Sequence, residues 1–251
     1  LIFSDLREYQ PGDEVRNIHW KVTARTGKPF VKTFEEDRQL NVILAVDVSS
    51  STGVGTNKTK HQKALEFTAL VTMLSFKNQD NVGLCLFADD IEEYYPPKRK
   101  RTQFHTIMSH VMAERALTAA TDLNSTLEHI AIHQRRNAIV FLISDFYCAS
   151  FEHNLRNLSH RHDVIGVLVR DAIDAEIPEA GLVRVRDAET GGMRILDTRS
   201  QRVRSGLKTL QAKRTEQLRL QFRRVGADFI AIDNNPLRPL AELMQRRTRR
   251  H

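Results

Sequence analysis

Cysteine is nearly absent from this chain of 251 residues, which has only Cys85 and Cys148. Each lies in or beside an apolar run. A disulfide framework is therefore excluded, and both thiols are expected to be buried in a reducing compartment, with the cytoplasm as the default. Long apolar runs are missing as well. No stretch reaches the ~18 residues that a spanning helix needs, so no membrane contact is expected within this chain. Internal repeats and low-complexity tracts are absent, which sets aside solenoids and disordered linkers. Tryptophan occurs once, at Trp20. The chain opens on Leu1 rather than Met, so it is expected to be a piece of a longer protein, with any upstream leader or anchor left open.

What is present reads as a globular protein. Hydrophobic residues make up 41% and charged residues 27%, within the range of ordinary folded domains. The net charge of +7 is concentrated in two clusters. One is Lys98, Arg99, Lys100 and Arg101; the other is Arg246, Arg247, Arg249 and Arg250. No aromatic residues interleave with either as a base-stacking surface would need. They are read as a solvated loop and a frayed tail, and no nucleic-acid contact is expected.

The order of elements points to one fold class. Residues 40–46 (LNVILAV), 82–87 and 138–144 (AIVFLIS) are continuous apolar runs of strand length, as in strands buried on both faces. Residues 91–95 form a further strand that should end at Pro96 and Pro97. Strands at 164–169 and 228–232 complete the series. Helical periodicity covers 61–77, 102–114, 123–135, 151–160, 201–223 and 237–246. Strands that alternate with helices imply crossover connections and a doubly wound, mostly parallel α/β sheet. Residues 182–186 and 193–197 flank a turn and read as an inserted β-hairpin. The expected division is an N-terminal segment, 1–39, packed on a main domain, 40–251.

In such sheets ligands bind at the carboxyl ends of the strands, where strand order reverses. Asp47, Ser49 and Ser51 form a D-x-S-x-S sequence just after the first strand. Thr121 and Asp122 precede the helix 123–135, and Asp145 follows the strand 138–144. Carboxylates and hydroxyls from three loops suit Mg²⁺ or Mn²⁺, which prefer oxygen ligands and retain water. This arrangement resembles the metal-ion-dependent adhesion site of von Willebrand factor A domains. The resemblance implies Asp47, Ser49, Ser51 and Thr121 as direct or water-mediated metal ligands, and Asp145 as the acidic residue of the last loop.

The first forty residues carry a second pattern. Arg7-Glu8-Tyr9-Gln10-Pro11-Gly12-Asp13 is followed by Arg16, Ile18, Trp20 and Lys21. Turns are expected at Pro11-Gly12-Asp13 and Thr26-Gly27-Lys28. Trp20 is expected to be a packing anchor, and Glu35, Glu36 and Asp37 to pair with Arg7, Arg16 or Arg25. This stretch, with Phe87-Ala88-Asp89, FLISDF at 141–146 and DAETG at 187–191, resembles a bacterial family of unknown function. Its members have a von Willebrand A-like domain and are often encoded beside MoxR-type AAA+ ATPases. The resemblance implies a non-enzymatic, metal-dependent protein-interaction module that works with such an ATPase or its client in the assembly of protein complexes.

Other motifs are weaker. Residues 53–59 (GVGTNKT) lack the glycine before lysine that a phosphate-binding loop requires, since Asn57 stands there. They are read as a surface turn. His129 and His133 are spaced like zinc ligands but have no third partner in the sequence, and are read as a polar helix face. His160 and His162 are explained by a helix-end dipole contact, and Asp89 and Asp90 by turn chemistry. Two other functions stay open: a metal-dependent hydrolase, because Mg²⁺ with carboxylates can activate water, and nucleic-acid binding through the basic clusters.

Overall fold

The computed structural model describes residues 2–35, 39–49, 58–99, 101–113, 121–171, 179–186 and 193–249. The backbone divides into two compact units, Leu1–Gln39 and Leu40–His251.

In the first unit, β1 (Ile2–Glu8) pairs antiparallel with β2 (Phe30–Glu35). A 3₁₀ turn at Val15–Asn17 and the helix α1 (Trp20–Thr26) lie between them. Gly12 (φ 110°) and Gly27 (φ 74°) take the left-handed conformations that the two turns require. The Arg7 guanidinium donates to both carboxylate oxygens of Asp13 at 2.8 and 2.6 Å, and Asp13 accepts the Gln10 backbone N–H at 2.8 Å. The arginine-to-aspartate signature is therefore a single clamped turn. Arg7 thus has a local partner; the side chains of Glu35, Glu36 and Asp37, expected to pair with Arg7, Arg16 or Arg25, lie outside the described residues. The clamped carboxylate is near in sequence and already oriented by a backbone amide. Trp20 is also not a core residue: it is 64% exposed. It stands at the first position of a seven-residue helix, too short to bury its outer side. Among the described side chains of this unit, Val31, at 4% exposed, is the buried hydrophobic.

The second unit is built on a six-stranded sheet. In chain order its elements are β3 (Asn41–Asp47), α2 (Lys60–Lys77), β4 (Asn81–Phe87), β5 (Ile91–Lys98), α3 (Arg101–Met112), α4 (Leu123–His133), β6 (Ile139–Ser144), α5 (Glu152–Ser159), β7 (Asp163–Val169), β8 (Leu182–Arg186), β9 (Met193–Asp197), α6 (Gln201–Arg224), β10 (Asp228–Ile232) and α7 (Leu237–Thr248). The sheet order is β10-β7-β6-β3-β4-β5, and only β5 runs antiparallel. This is the doubly wound, mostly parallel α/β architecture expected from the alternation of elements. Strands β8 and β9 pair separately as an antiparallel ribbon.

The pleat of β3 explains the two-faced core. Val42, Leu44 and Val46 pack with Phe67 and Val71 of α2, Ile107 of α3 and Leu240 of α7. Ile43 and Ala45 pack on the other face with Leu127 of α4, Leu155 of α5 and Phe222 of α6. Alternate side chains of one strand thus feed two helix layers. Because strand order reverses beside β3, the carboxyl ends of β3 and β6 adjoin.

Three details differ from expectation. The strand β5 runs on through Pro96 and Pro97 to Lys98. It is an edge strand, where a missing N–H costs no ladder bond, and Gly83 makes room for it. A Cβ at Gly83 would lie 2.8 Å from Pro97 N. Arg247 is not part of a frayed tail. Its guanidinium bridges Asp163 and Asp228, which open the neighbouring strands β7 and β10, with the Asp228 contact at 2.7 Å. His162 is buried at 5% exposure and, among the described residues, neither ring nitrogen has a hydrogen-bond partner. Burial, and then the charge of Arg161, push its pKa below the usual histidine range. A solvated dipole contact does not describe it.

Two predictions follow from this packing. A Cβ on Gly166 would lie 2.5 Å from the Phe222 ring, so Gly166→Ala should destabilise by roughly 1–3 kcal/mol. In a double-mutant cycle by denaturant unfolding, that cost should shrink in a Phe222→Leu background; simple additivity would refute the contact. His162 binds its proton more weakly folded than unfolded, so the unfolded state takes up more protons as the pH drops below the ordinary histidine value. Stability should fall over that window. His129, lowered by burial and by His133, acts in the same direction. His162→Leu should remove part of the acid-side loss, and an unchanged pH profile of unfolding would show that His162 does not contribute.

Candidate metal centre

The two most apolar strands each end in a carboxylate, and the sheet sets them side by side. Asp47 closes β3, and Asp145 follows Ser144 at the end of β6. Both aspartates are buried, at 0% and 1% exposure. Asp47 Oδ1 accepts the Ser49 backbone N–H at 2.9 Å, and Oδ2 accepts the Ser144 hydroxyl at 2.6 Å. The Ser49 hydroxyl bonds the same carboxylate. Ser144 Oγ also accepts the Phe146 N–H at 2.8 Å. Phe146 takes φ 55°, a conformation uncommon for a bulky residue, and its ring is anchored against Phe151 and Phe222. The turn that carries Asp145 is thus held at both ends.

Burial pushes the Asp47 carboxyl above the usual aspartate range. Hydrogen bonds from Ser144 and Ser49 oppose the shift, and the charge of Asp145 adds to it. Cys148 lies in the same field. Burial, with the charges of Asp47 and Asp145, drives its thiol up to about 12, partly offset by Arg214. Cys85 reaches about 12 through burial alone.

The middle loop is tied to the same edge. The Asp122 N–H donates to the Ala88 carbonyl at 2.6 Å, and the Val48 N–H to the Phe87 carbonyl at 2.9 Å. The Asp122 side chain caps α4 through the Asn124 and Ser125 amides. Thr121, half-buried, precedes that cap. The structure thus brings Asp47, Ser49 and Asp145 together and anchors the loop of Thr121 to the end of β4. Ser51 lies outside the described residues.

Sequence reasoning missed Lys60. Its ammonium lies 3.2 Å from Asp145 Oδ2, and both side chains are buried. Lys60 is the first residue of α2, behind a capping box of Thr59 and Gln62. Lys60, Lys63, Ala64, Phe67 and Val71 share one buried stripe of that helix. Lysines on an apolar stripe are a legible sign of an internal partner. Lys63 shows the same: it donates to the Arg170 carbonyl at 3.1 Å and lies 3.6 Å from Asp171. Ser144 was missed because it reads as the last apolar-strand position.

Two buried carboxylates, one held by hydroxyls and the other by an ammonium, offer hard oxygen donors, suited to a hard divalent cation and unsuited to a soft one. The donor set rests on hydroxyls. Among the described residues, no group of three or more His, Cys, Asp or Glu side chains is placed to hold a metal.

Residues 5–217 match the family described as "Protein of unknown function DUF58". The chain belongs to the DUF58 family. Over 192 residues, 75% of the DUF58 chain, it is 32% identical to "Uncharacterized protein Rv1480" of Mycobacterium tuberculosis (strain ATCC 25618 / H37Rv). That match spans 61% of the mycobacterial protein, so the chain corresponds to about three-fifths of its length. A shorter match of 110 residues is 26% identical to "Uncharacterized protein YeaD" of Bacillus subtilis (strain 168), covering 44% of this chain and 26% of YeaD. Among solved structures, an aerotolerance-related membrane protein from Bacteroides fragilis NCTC 9343 superposes with a TM-score of 0.51 at 16% identity, over 80% of this chain and 96% of that one. This likeness is one of fold. Among the described residues of the DUF58 chain, no helix is long and apolar enough to cross a membrane.

The environment of Asp47 generates a test. Its negative charge is the costly part of the buried pair, so Asp47→Asn should fold and, in chelator, melt at or above the wild-type temperature. A large drop in melting temperature would show that the charge itself is structural.

Proposed function

We propose that this chain is a metal-dependent protein-interaction module. The observation that supports it best is the buried Asp47 carboxylate, set beside Asp145 at the point where strand order reverses and ringed by serine oxygens. Asp47, Ser49, Ser51 and Thr121 would hold Mg²⁺ or Mn²⁺. Asp145, already paired with Lys60, would act from outside the immediate ligands. When bound, the ion supplies an open coordination position that a partner's carboxylate can fill. The chain's own residues orient the site: Ser144 and the Ser49 amide fix the Asp47 carboxylate, and Lys60 fixes that of Asp145. The partner we propose, from the resemblance of the N-terminal signature, is a MoxR-type AAA+ ATPase or one of its clients.

Calorimetry should show one site for Mg²⁺ or Mn²⁺ of modest affinity, since Mg²⁺ dehydrates reluctantly, and Asp47→Ala should abolish it. Absence of binding, or binding unchanged in the variant, overturns the metal reading. Co-purification of the ATPase or client should be lost in chelator and in Asp47→Ala. Association that survives both leaves the partner but removes the metal from it. Metal-dependent turnover of a phosphoester that Asp47→Ala abolishes would replace this reading with hydrolysis.

A further inference from the structure

Beside the aspartate pair, and sharing Lys60 and Asp145 with it, lies a cleft of about 310 Å³. Its walls are the start of α2, the turn after β6, the carboxyl end of β7 and one side of α6. Among the described residues, its charged lining is Lys60, Arg170, Lys208 and Arg214 against Asp145. Asp145 is already matched by Lys60. Among the described residues, Arg170, Lys208 and Arg214 make no ion pair, and the buried Nε of Arg170 has no hydrogen-bond partner.

Arg214 is held in place before any ligand arrives. Its guanidinium carbon lies 3.5 Å from the centroid of the Tyr147 ring, and Nη2 donates to the Asp145 carbonyl at 2.8 Å. The Tyr147 hydroxyl is fixed in turn by Gln211 at 3.0 Å. A guanidinium stacked on a ring and tethered through one nitrogen has little entropy left to lose, and its remaining N–H groups suit a bidentate oxyanion. Three cations without counter-charge exceed what a single carboxylate needs and match a doubly charged group. Apolar Leu168, Val169 and Ala212 complete the lining, and the volume falls at the lower end of small-molecule pockets.

We infer that this cleft is an anion-binding site for the phosphate group of a small organic phosphate. Pyrophosphate is the probe, titrated by calorimetry into the wild-type chain in chelator, so that the aspartate site stays out of the measurement. Binding should be saturable, weakened by added salt, and about tenfold or more weaker in Arg214→Met and in Lys208→Ala, as expected when a charge-assisted contact is removed. Lys208 is exposed, so its variant decides the matter even if Arg214→Met fails to fold, which its melting temperature will show. A parallel titration with a tetraglutamate peptide separates phosphate from carboxylate. Absence of pyrophosphate binding, binding equal to wild type in Lys208→Ala, or binding of the peptide alone each overturns the assignment.

Discussion

Burying charge at the carboxyl edge of a parallel sheet is the constraint on which this structure turns. Strands β3 and β6 are apolar on both faces because helices cover both, and each delivers an aspartate into the dry region where it ends. An isolated ion there would be strongly unfavourable. Among the described residues, two serines, two backbone amides and one lysine answer this. The left-handed Phe146 belongs to the same solution. It turns the chain so that Ser144 bonds Asp47 while its neighbour faces Lys60, and aromatic packing against Phe151 and Phe222 offsets the backbone strain.

The amino edge of the same sheet is handled in the opposite way. Asp163 and Asp228 open adjacent strands, and Arg247 from the last helix clamps both. A planar guanidinium reaches two carboxylates at once. At the carboxyl edge, by contrast, a compact ammonium meets one carboxylate and hydroxyls meet the other. The first arrangement ties two strand starts to the last helix; the second gathers hydroxyl oxygens around a buried carboxylate.

Much of the main fold was legible because its signals are local. Short apolar runs such as 42–46 admit little but a buried strand, and Asp47 and Asp145 stand out because each follows the end of such a strand. What escaped depends on long-range partners. Arg247 looked like tail charge because Asp163 is 84 residues away. Lys60 drew no notice because Asp145 is 85 residues away. Proline pairs stop a central strand but not an edge one, and which strand is the edge is decided only by the sheet order. Trp20 was misjudged because hydrophobicity alone does not bury a side chain; a seven-residue helix has too little covered surface to do so.

The aspartate pair and the neighbouring cleft share Asp145 and Lys60, so they are electrostatically one system. With the cleft's cations unmatched, positive charge near Asp145 opposes the entry of another cation. An anion seated among Arg170, Lys208 and Arg214 would lower that opposition, and a cation beside Asp47 would in turn favour the anion. Such coupling is reciprocal by necessity, and over these short, partly dry distances it is weakly screened. Two such sites would therefore have a physical means of sensing each other's occupancy through the buried Lys60–Asp145 pair.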